Sequence, residues 1–214
     1  MIETLRLYMF YFIHPFESAR SLREEISFPQ LDWDQSLAIS WLFNILRAIL
    51  VVITFYIGLF ITEKIVSLAG GTSGVWQQNF VLIMASKKMF FLCLALEVVF
   101  YPISYYFSIF LFKFFISLSL SLFGKDNSEE QVGQVLLVAM SNQVLKLIPI
   151  MGGAFYFLGL FIGLFAGLRG NLQLTMGQSF FTLLLPFVFL GTFFILFISF
   201  LFFFVFSGLS YVMT

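Results

Sequence analysis

Residues 180–212 read FFTLLLPFVFLGTFFILFISFLFFFVFSGLSYV, and this stretch contains no charged side chain. A helix that crosses the hydrocarbon core of a bilayer, about 30 Å thick, needs roughly 20 apolar residues. The stretch is therefore long enough for one tilted or kinked crossing, with Pro186 and Gly191 as the points where it bends. Two short crossings are the alternative. Either arrangement predicts that this part of the chain lies in a membrane.

The composition extends this prediction to the whole chain. Of its 214 residues, 61% are hydrophobic and 10% are charged, and the mean hydropathy is +1.02. Soluble domains carry about 25% charged residues. The length leaves room for about five or six crossings and for no separate catalytic domain. We therefore predict a polytopic membrane protein.

Residue counts exclude several kinds of site. The 11 basic and 11 acidic residues balance, so the sequence offers no basic surface for nucleic acid. Cys93 is the only cysteine and His14 the only histidine, which excludes an internal disulfide, a thiolate cluster and a site with two imidazoles from one chain. The sequence contains no phosphate-binding loop, paired-carboxylate motif or metal-ligand spacing. We expect no enzymatic activity, no metal and no cofactor.

The first 35 residues are rich in charge and are predicted to lie at the membrane surface. Pro15 follows a short apolar helix and is expected to begin a second one. In that second helix the apolar side chains form one stripe, the pattern of an amphipathic interfacial helix. We thus divide the chain into an N-terminal interfacial segment, 1–35, and a single transmembrane helical domain, 36–214. The stripe consists of Phe16, Ala19, Leu22 and Ile26.

The remaining sequence predicts an all-α fold, a bundle of about five transmembrane helices. A loop is expected over 62–88, where Gly70, Gly71 and Gly74 favour turns and a short apolar piece, 80–85, lies at the interface. The five predicted spans are 37 or 41 to 61, 89–123, 135–147, 154–168 and 180–212.

The second of these spans is longer than a simple crossing requires. We interpret 89–123 as one helix bent at Pro102, and a hairpin that turns near 101–106 is the alternative. A polar break over 124–131 separates it from the third span, which is less hydrophobic than the others.

Three features of this arrangement resemble the Yip-domain family, integral membrane proteins first described as partners of Ypt-type small GTPases. The first is HPFESAR over 14–20, which is similar to the family's proline-led, charged entry to the first span. The second is the order of five spans with a polar break before the third helix. The third is LIPIMGG over 147–153, followed by an apolar helix that ends AGLRG over 166–170. The residues that match the family motif are Pro149, Gly152, Gly153 and Arg169.

The resemblance covers residues 8–210 and, with the lack of catalytic groups, favours a non-enzymatic scaffold or accessory subunit that binds other membrane proteins or organises the bilayer. The chain lacks the long cytoplasmic N-terminal region of eukaryotic members, which favours the bacterial branch and argues against binding of a small GTPase. The expected partners are membrane lipids and another membrane protein or a second copy. The expected location is the bacterial inner membrane. Lysine and arginine are divided almost equally between the two sides, and we place the N-terminus in the cytoplasm.

Charged side chains inside the predicted spans are candidate functional residues, because each costs roughly 2.5–3.5 kcal/mol at the centre of a membrane helix. Arg47, Glu97 and Lys146 could line a polar path, which gives an alternative function as a small transporter or channel subunit for an ion or lipid. We favour one ion pair with snorkelling lysines. The predicted boundaries place Arg47 and Glu97 at different depths, whereas Lys146 could meet Glu97. The predicted intramembrane polar cluster is Asn44, Arg47, Glu97, Asn142 and Lys146, and Lys113 is a further charged residue in a span.

Glycines recur every four residues on one face of the predicted fourth span, at Gly159, Gly163 and Gly167. Small residues at this spacing let another helix backbone approach closely. The approaching helix belongs either to a second copy in a dimer or to the same bundle, and we favour the same bundle.

Overall fold

A computed structural model describes residues 2–23, 31–68, 73–125 and 129–212. Across these residues the chain is helical and contains no strand, which confirms the all-α prediction. The elements are α1 (Ile2–Ile13), α2 (Pro15–Arg23), α3 (Trp33–Leu68), α4 (Ser73–Leu122), α5 (Glu129–Met140), a 3₁₀ helix (Ser141–Leu147), α6 (Gly152–Gly170) and α7 (Met176–Val212).

Four helices are long and apolar enough to cross a membrane, and they coincide with the predicted first, second, fourth and fifth spans. Pro102 lies inside α4 and Pro186 inside α7, and both helices continue through them. The hairpin near 101–106 and the division of 180–212 into two short crossings therefore do not form. The candidate spans are Trp33–Thr62, Lys87–Leu122, Gly152–Gly170 and Met176–Phe203.

The predicted third span, 135–147, differs from the other four. It forms the second half of α5 and then the 3₁₀ helix, and most of its side chains are buried by the surrounding helices. At the change of helix type, Ser141 Oγ donates to the carbonyl oxygen of Val138 (2.7 Å). Asn142 Nδ2 donates to the carbonyl oxygen of Ala139 (3.0 Å). Because such bonds compete with the α-helical pattern, the segment is not a single α-helix long enough to cross a membrane alone.

The predicted loop over 62–88 is wrong for most of its length. α3 continues to Leu68 and α4 begins at Ser73, so the predicted interfacial piece is part of α4. Gly74 lies inside that helix, and the other two glycines, at 70–71, lie outside the described residues. A glycine costs a helix only about 1 kcal/mol, and a long helix of good helix formers absorbs that cost. The glycine at position 74 therefore did not indicate a loop.

α2 begins at the predicted proline, and its buried side faces protein. Ala19 and Leu22 of the predicted stripe are buried, Phe16 is exposed, and Ile26 lies outside the described residues. A Cβ atom placed on Gly170 would lie 2.9 Å from the Cβ of Ala19, so α2 packs directly on the end of α6.

α1 is also part of the packed molecule. Tyr8 and Tyr11 have no exposed surface. Tyr8 Oη donates to the carbonyl oxygen of Met140 (3.1 Å) and forms a hydrogen bond with Ser40 Oγ (3.0 Å). The N-terminal residues therefore connect α3 to α5, and the part of the segment that was expected at the membrane surface contributes to the core.

The glycines of α6 face α5 and the 3₁₀ helix, which run antiparallel to it. A Cβ atom on Gly159 would lie 2.6 Å from Asn142 Oδ1, and one on Gly163 would lie 2.8 Å from the Cα of Ala139. A Cβ atom on Gly167 would meet the side chain of Val135 at 2.6 Å. Within one chain, this face of α6 is therefore occupied by a neighbouring helix of the same bundle.

Three helices extend beyond this packed core. Residues 51–65 of α3, 87–100 of α4 and 188–203 of α7 include no buried side chain among those the structure describes. We call them the outer segments. The α3 and α4 outer segments contact each other through ring pairs, such as that between Phe55 and Phe90, whose centroids lie 4.7 Å apart.

We expect Gly163→Ala to lower the free energy of unfolding by about 1–3 kcal/mol, because the added methyl group meets the backbone of α5. Gly191→Ala in α7 is the matched control, since a Cβ atom there has no neighbour within 4 Å. Reversible unfolding in mixed micelles, followed by circular dichroism, measures both. Equal stability of the two variants would show that the α5–α6 contact is looser than the structure has it.

A charged intramembrane cavity as the candidate functional site

α3 and α4 lie antiparallel, and their register decides which polar groups meet. Trp41 Nε1 donates to the carbonyl oxygen of Val98 (2.8 Å). Further along α3, the ring of Phe55 stacks on that of Phe90. Arg47 lies between these two contacts, near the midpoint of the candidate span Trp33–Thr62. The polar groups that face it therefore lie well inside the apolar part of the pair.

Arg47 and Glu97 form an ion pair across the two helices, with the guanidinium donating to Glu97 Oε1. The prediction that they sit at different depths was wrong, because the antiparallel register fixed by the Trp41–Val98 and Phe55–Phe90 contacts sets the two side chains opposite each other. Each charge has a partner, as charges at membrane depth require. The side chains keep 28% and 43% of their surface exposed, so the pair borders the outside of the bundle.

Lys146 lies near this pair without joining it. Its Nζ atom is 4.3 Å from the ring centroid of Tyr156 and 5.7 Å from that of Tyr101, both within cation–π range. Within the described residues, no carboxylate lies within ion-pair distance of this ammonium group, so the predicted contact with Glu97 does not form. Aromatic faces thus hold the cation, but no negative charge neutralises it.

A cavity of about 300 Å³ separates the two cations. Arg47 and Lys146 line it together with the turn before α6, in which Ile150 adopts a left-handed conformation (φ 66°). Gly152 and Gly153 at the start of α6 complete this wall. No side chain caps that helix, so its first amide groups are left without side-chain acceptors. The remaining wall is apolar and is made by Leu50, Val51, Phe55, Phe90, Leu147 and Ile148, with Thr54 and Pro149.

Buried polar side chains continue from the cavity into the core. Gln143 Nε2 donates to Tyr156 Oη (3.0 Å), so the ring beneath Lys146 belongs to a hydrogen-bond network. Within the described residues, both amide atoms of Asn44, about one turn along α3 from Arg47, are buried without a protein hydrogen-bond partner. Buried polar atoms of this kind usually bind water. Polar groups therefore continue inward from the Arg47 side of the cavity.

The other predicted site residues lie apart from the cavity or play structural roles. Asn142 bonds the backbone of its own segment and touches Gly159. Arg169 is exposed at the far end of α6, about 25 Å from the cavity for a helix of this length. Lys113 pairs with Glu129 (2.9 Å) and lowers the pKa of that carboxyl group. Of the predicted cluster, Arg47 and Lys146 line the cavity, and Glu97 pairs with Arg47.

Sequence reasoning missed Tyr101 and Tyr156, the rings that hold Lys146. They are two of eight tyrosines in a chain of which 21% is aromatic. A tyrosine in an otherwise phenylalanine-rich helix places a hydroxyl group in hydrocarbon, and that hydroxyl needs a partner. This was the signal that could have set them apart.

Comparison of the chain with protein-family models, with curated proteins and with solved structures finds no match. Among the described residues, no three His, Cys, Asp or Glu side chains are grouped as metal ligands. The function is therefore argued from the charged cavity and the apolar surfaces alone.

We expect Glu97→Gln to lower the free energy of unfolding by about 2–3 kcal/mol, because it leaves the Arg47 guanidinium unpaired at membrane depth. The double variant Arg47→Gln/Glu97→Gln should recover most of that loss. Lys113→Gln is the control, since it removes a charge whose partner is exposed, and its effect should be smaller. Unfolding in mixed micelles measures these variants and Arg47→Gln alone. A loss in the double variant equal to the sum of the two single losses would argue against a coupled pair.

Proposed function

We propose that this chain is a non-enzymatic integral membrane protein that acts as a scaffold or accessory subunit, binding other membrane proteins or organising the bilayer. The observation that carries the proposal is the exposure of the three outer segments. In α7 four consecutive residues, Phe193 to Leu196, are each more than 60% exposed, so no face of the helix is covered there. The Yip-domain resemblance, which remains a prediction, supports the same role.

The chemistry of the outer segments favours packing against apolar surfaces. Their threonine and serine hydroxyl groups are used within their own helices, as where Thr54 Oγ1 donates to the carbonyl oxygen of Leu50 and Thr192 Oγ1 to that of Val188 (both 2.8 Å). The greater part of these surfaces is methyl groups and rings. Membrane helices associate mainly by close packing, so these segments suit lipid or a helix of another membrane protein.

The finer assignments of the proposal come from the sequence. They are five crossings, with α5 and the 3₁₀ helix as the shorter one, an interfacial α2, and an N-terminus on the cytoplasmic side of a bacterial inner membrane. The proposed partner is another membrane protein or a second copy. A small GTPase is not part of the proposal.

The partner prediction is tested by purifying the full chain in native-lipid nanodiscs and identifying what accompanies it by mass spectrometry. We expect a stoichiometric membrane protein or a second copy. Phe193→Leu/Phe197→Leu changes one α7 face while keeping it apolar, and a similar pair on another face is the control. Only the variant on the contacting face should lose the partner, because lipid adapts to leucine and a packed helix does not. A monomer without any partner would contradict the proposal.

A transport function is the second candidate, because Arg47 and Lys146 line one cavity and Glu97 pairs with Arg47 beside it. The scaffold proposal predicts that liposomes containing the protein conduct protons, potassium or chloride no faster than protein-free liposomes. Glu97→Gln and Lys113→Gln are measured beside the natural sequence. Flux that disappears only in Glu97→Gln, in a variant that remains folded, would favour transport over scaffolding.

A further inference from the structure

The cavity between α3 and the start of α6 has an excess of positive charge. It is lined by two cationic side chains, Arg47 and Lys146. The one carboxylate that pairs with either of them in the described part of the chain is that of Glu97, which bonds Arg47. One positive charge is therefore left without a carboxylate partner beside the end of the candidate span Gly152–Gly170, the level at which lipid headgroups lie. In an apolar cavity an isolated charge is costly. An anion in the cavity would remove that cost.

The wall formed by α6 adds to this positive potential. Gly152 and Gly153 stand at the N-terminus of a 19-residue helix that no side chain caps. The N-terminal end of a helix carries partial positive charge, and its free amide groups donate hydrogen bonds to anions. A Cβ atom on Gly153 would have no neighbour within 4 Å, so the backbone at this point borders open space. The amide groups thus supplement the two side-chain cations.

The rest of the cavity suits a hydrocarbon chain. The stacked rings of Phe55 and Phe90 and the side chains of Leu50 and Val51 form its other side. The cavity opens to the surface of the bundle, because Ile150 at its rim is 93% exposed. A free anion would gain nothing from this apolar side, whereas the acyl chain of a lipid would lie along the phenylalanine rings.

We propose that this cavity binds the phosphate group of an anionic membrane lipid. Arg47 and Lys146 contact the phosphate oxygens, the first amide groups of α6 donate hydrogen bonds to them, and the acyl chain extends along α3 and α4. Basic pockets between membrane helices bind anionic headgroups in this way. A guanidinium group matches the geometry of phosphate oxygens, and an ammonium group acts as a point charge beside it. The inference does not depend on the scaffold role, since a chain can hold a lipid whether or not it binds another protein.

Native mass spectrometry of the full chain in detergent tests the inference, with phosphatidylglycerol and phosphatidylcholine titrated separately. We expect one phosphatidylglycerol molecule to bind more tightly than phosphatidylcholine. Lys146→Gln should weaken that binding at least about fivefold, the effect of one cationic side chain on an anionic lipid. Lys146→Arg keeps the charge and should retain most of the affinity. Equal binding of the two lipids, or no change in Lys146→Gln, would overturn the proposal.

A second variant separates lost binding from lost folding. Gly153→Asp places a carboxylate in open space at the start of α6, where the helix dipole favours it, so the protein should fold and elute as the natural chain does. The added charge neutralises the cavity and should abolish preferential binding of phosphatidylglycerol. Gly177→Asp, which adds the same carboxylate in open space at the start of α7, should not. Retained preference in a folded Gly153→Asp would overturn the proposal. If inorganic phosphate alone binds tightly, and this binding is lost in Lys146→Gln, the ligand of the cavity is a free anion and the lipid proposal is wrong.

Discussion

The close approach of α6 to α5 and the 3₁₀ helix determines the arrangement around it. At Gly152 a Cβ atom would lie 2.6 Å from the carbonyl oxygen of Lys146, and at Gly163 it would lie 2.8 Å from the Cα of Ala139. A side chain at either position would push the helices apart. Because the backbones meet, the chain can turn sharply between them, and the Lys146 side chain and the uncapped start of α6 come to border one cavity.

The second constraint is the cost of charge in hydrocarbon. Arg47 and Glu97 neutralise each other across the antiparallel pair of α3 and α4, and a shift of one helix along the other would separate them. Lys146 is stabilised instead by the rings of Tyr101 and Tyr156. Rings attract a cation without neutralising it, so the charge remains available to a ligand. Arg47 is paired with a carboxylate and Lys146 is not, so the cavity carries a net positive charge.

Part of this site could be predicted from the sequence. Arg47, Glu97 and Lys146 stand out because each interrupts an apolar run, and such interruptions are rare in membrane helices. Their arrangement could not be predicted, because the partner of Glu97 depends on the register of α4 against α3. That register is fixed by tertiary contacts such as the hydrogen bond from Trp41 to Val98. A shift of one helix along the other by one turn moves a side chain by about 5.4 Å and changes its partner.

The sequence by itself determined that this is an all-α protein with apolar helices long enough to cross a membrane, because composition and run length depend only on the local chain and its solvent. Only the tertiary structure decided that residues 135–147 are split between α5 and a 3₁₀ helix and are mostly buried. It also decided that α1 enters the core and that two cations face one cavity. These features depend on how deeply each helix sits and which face it presents, and such relations arise only when the helices pack.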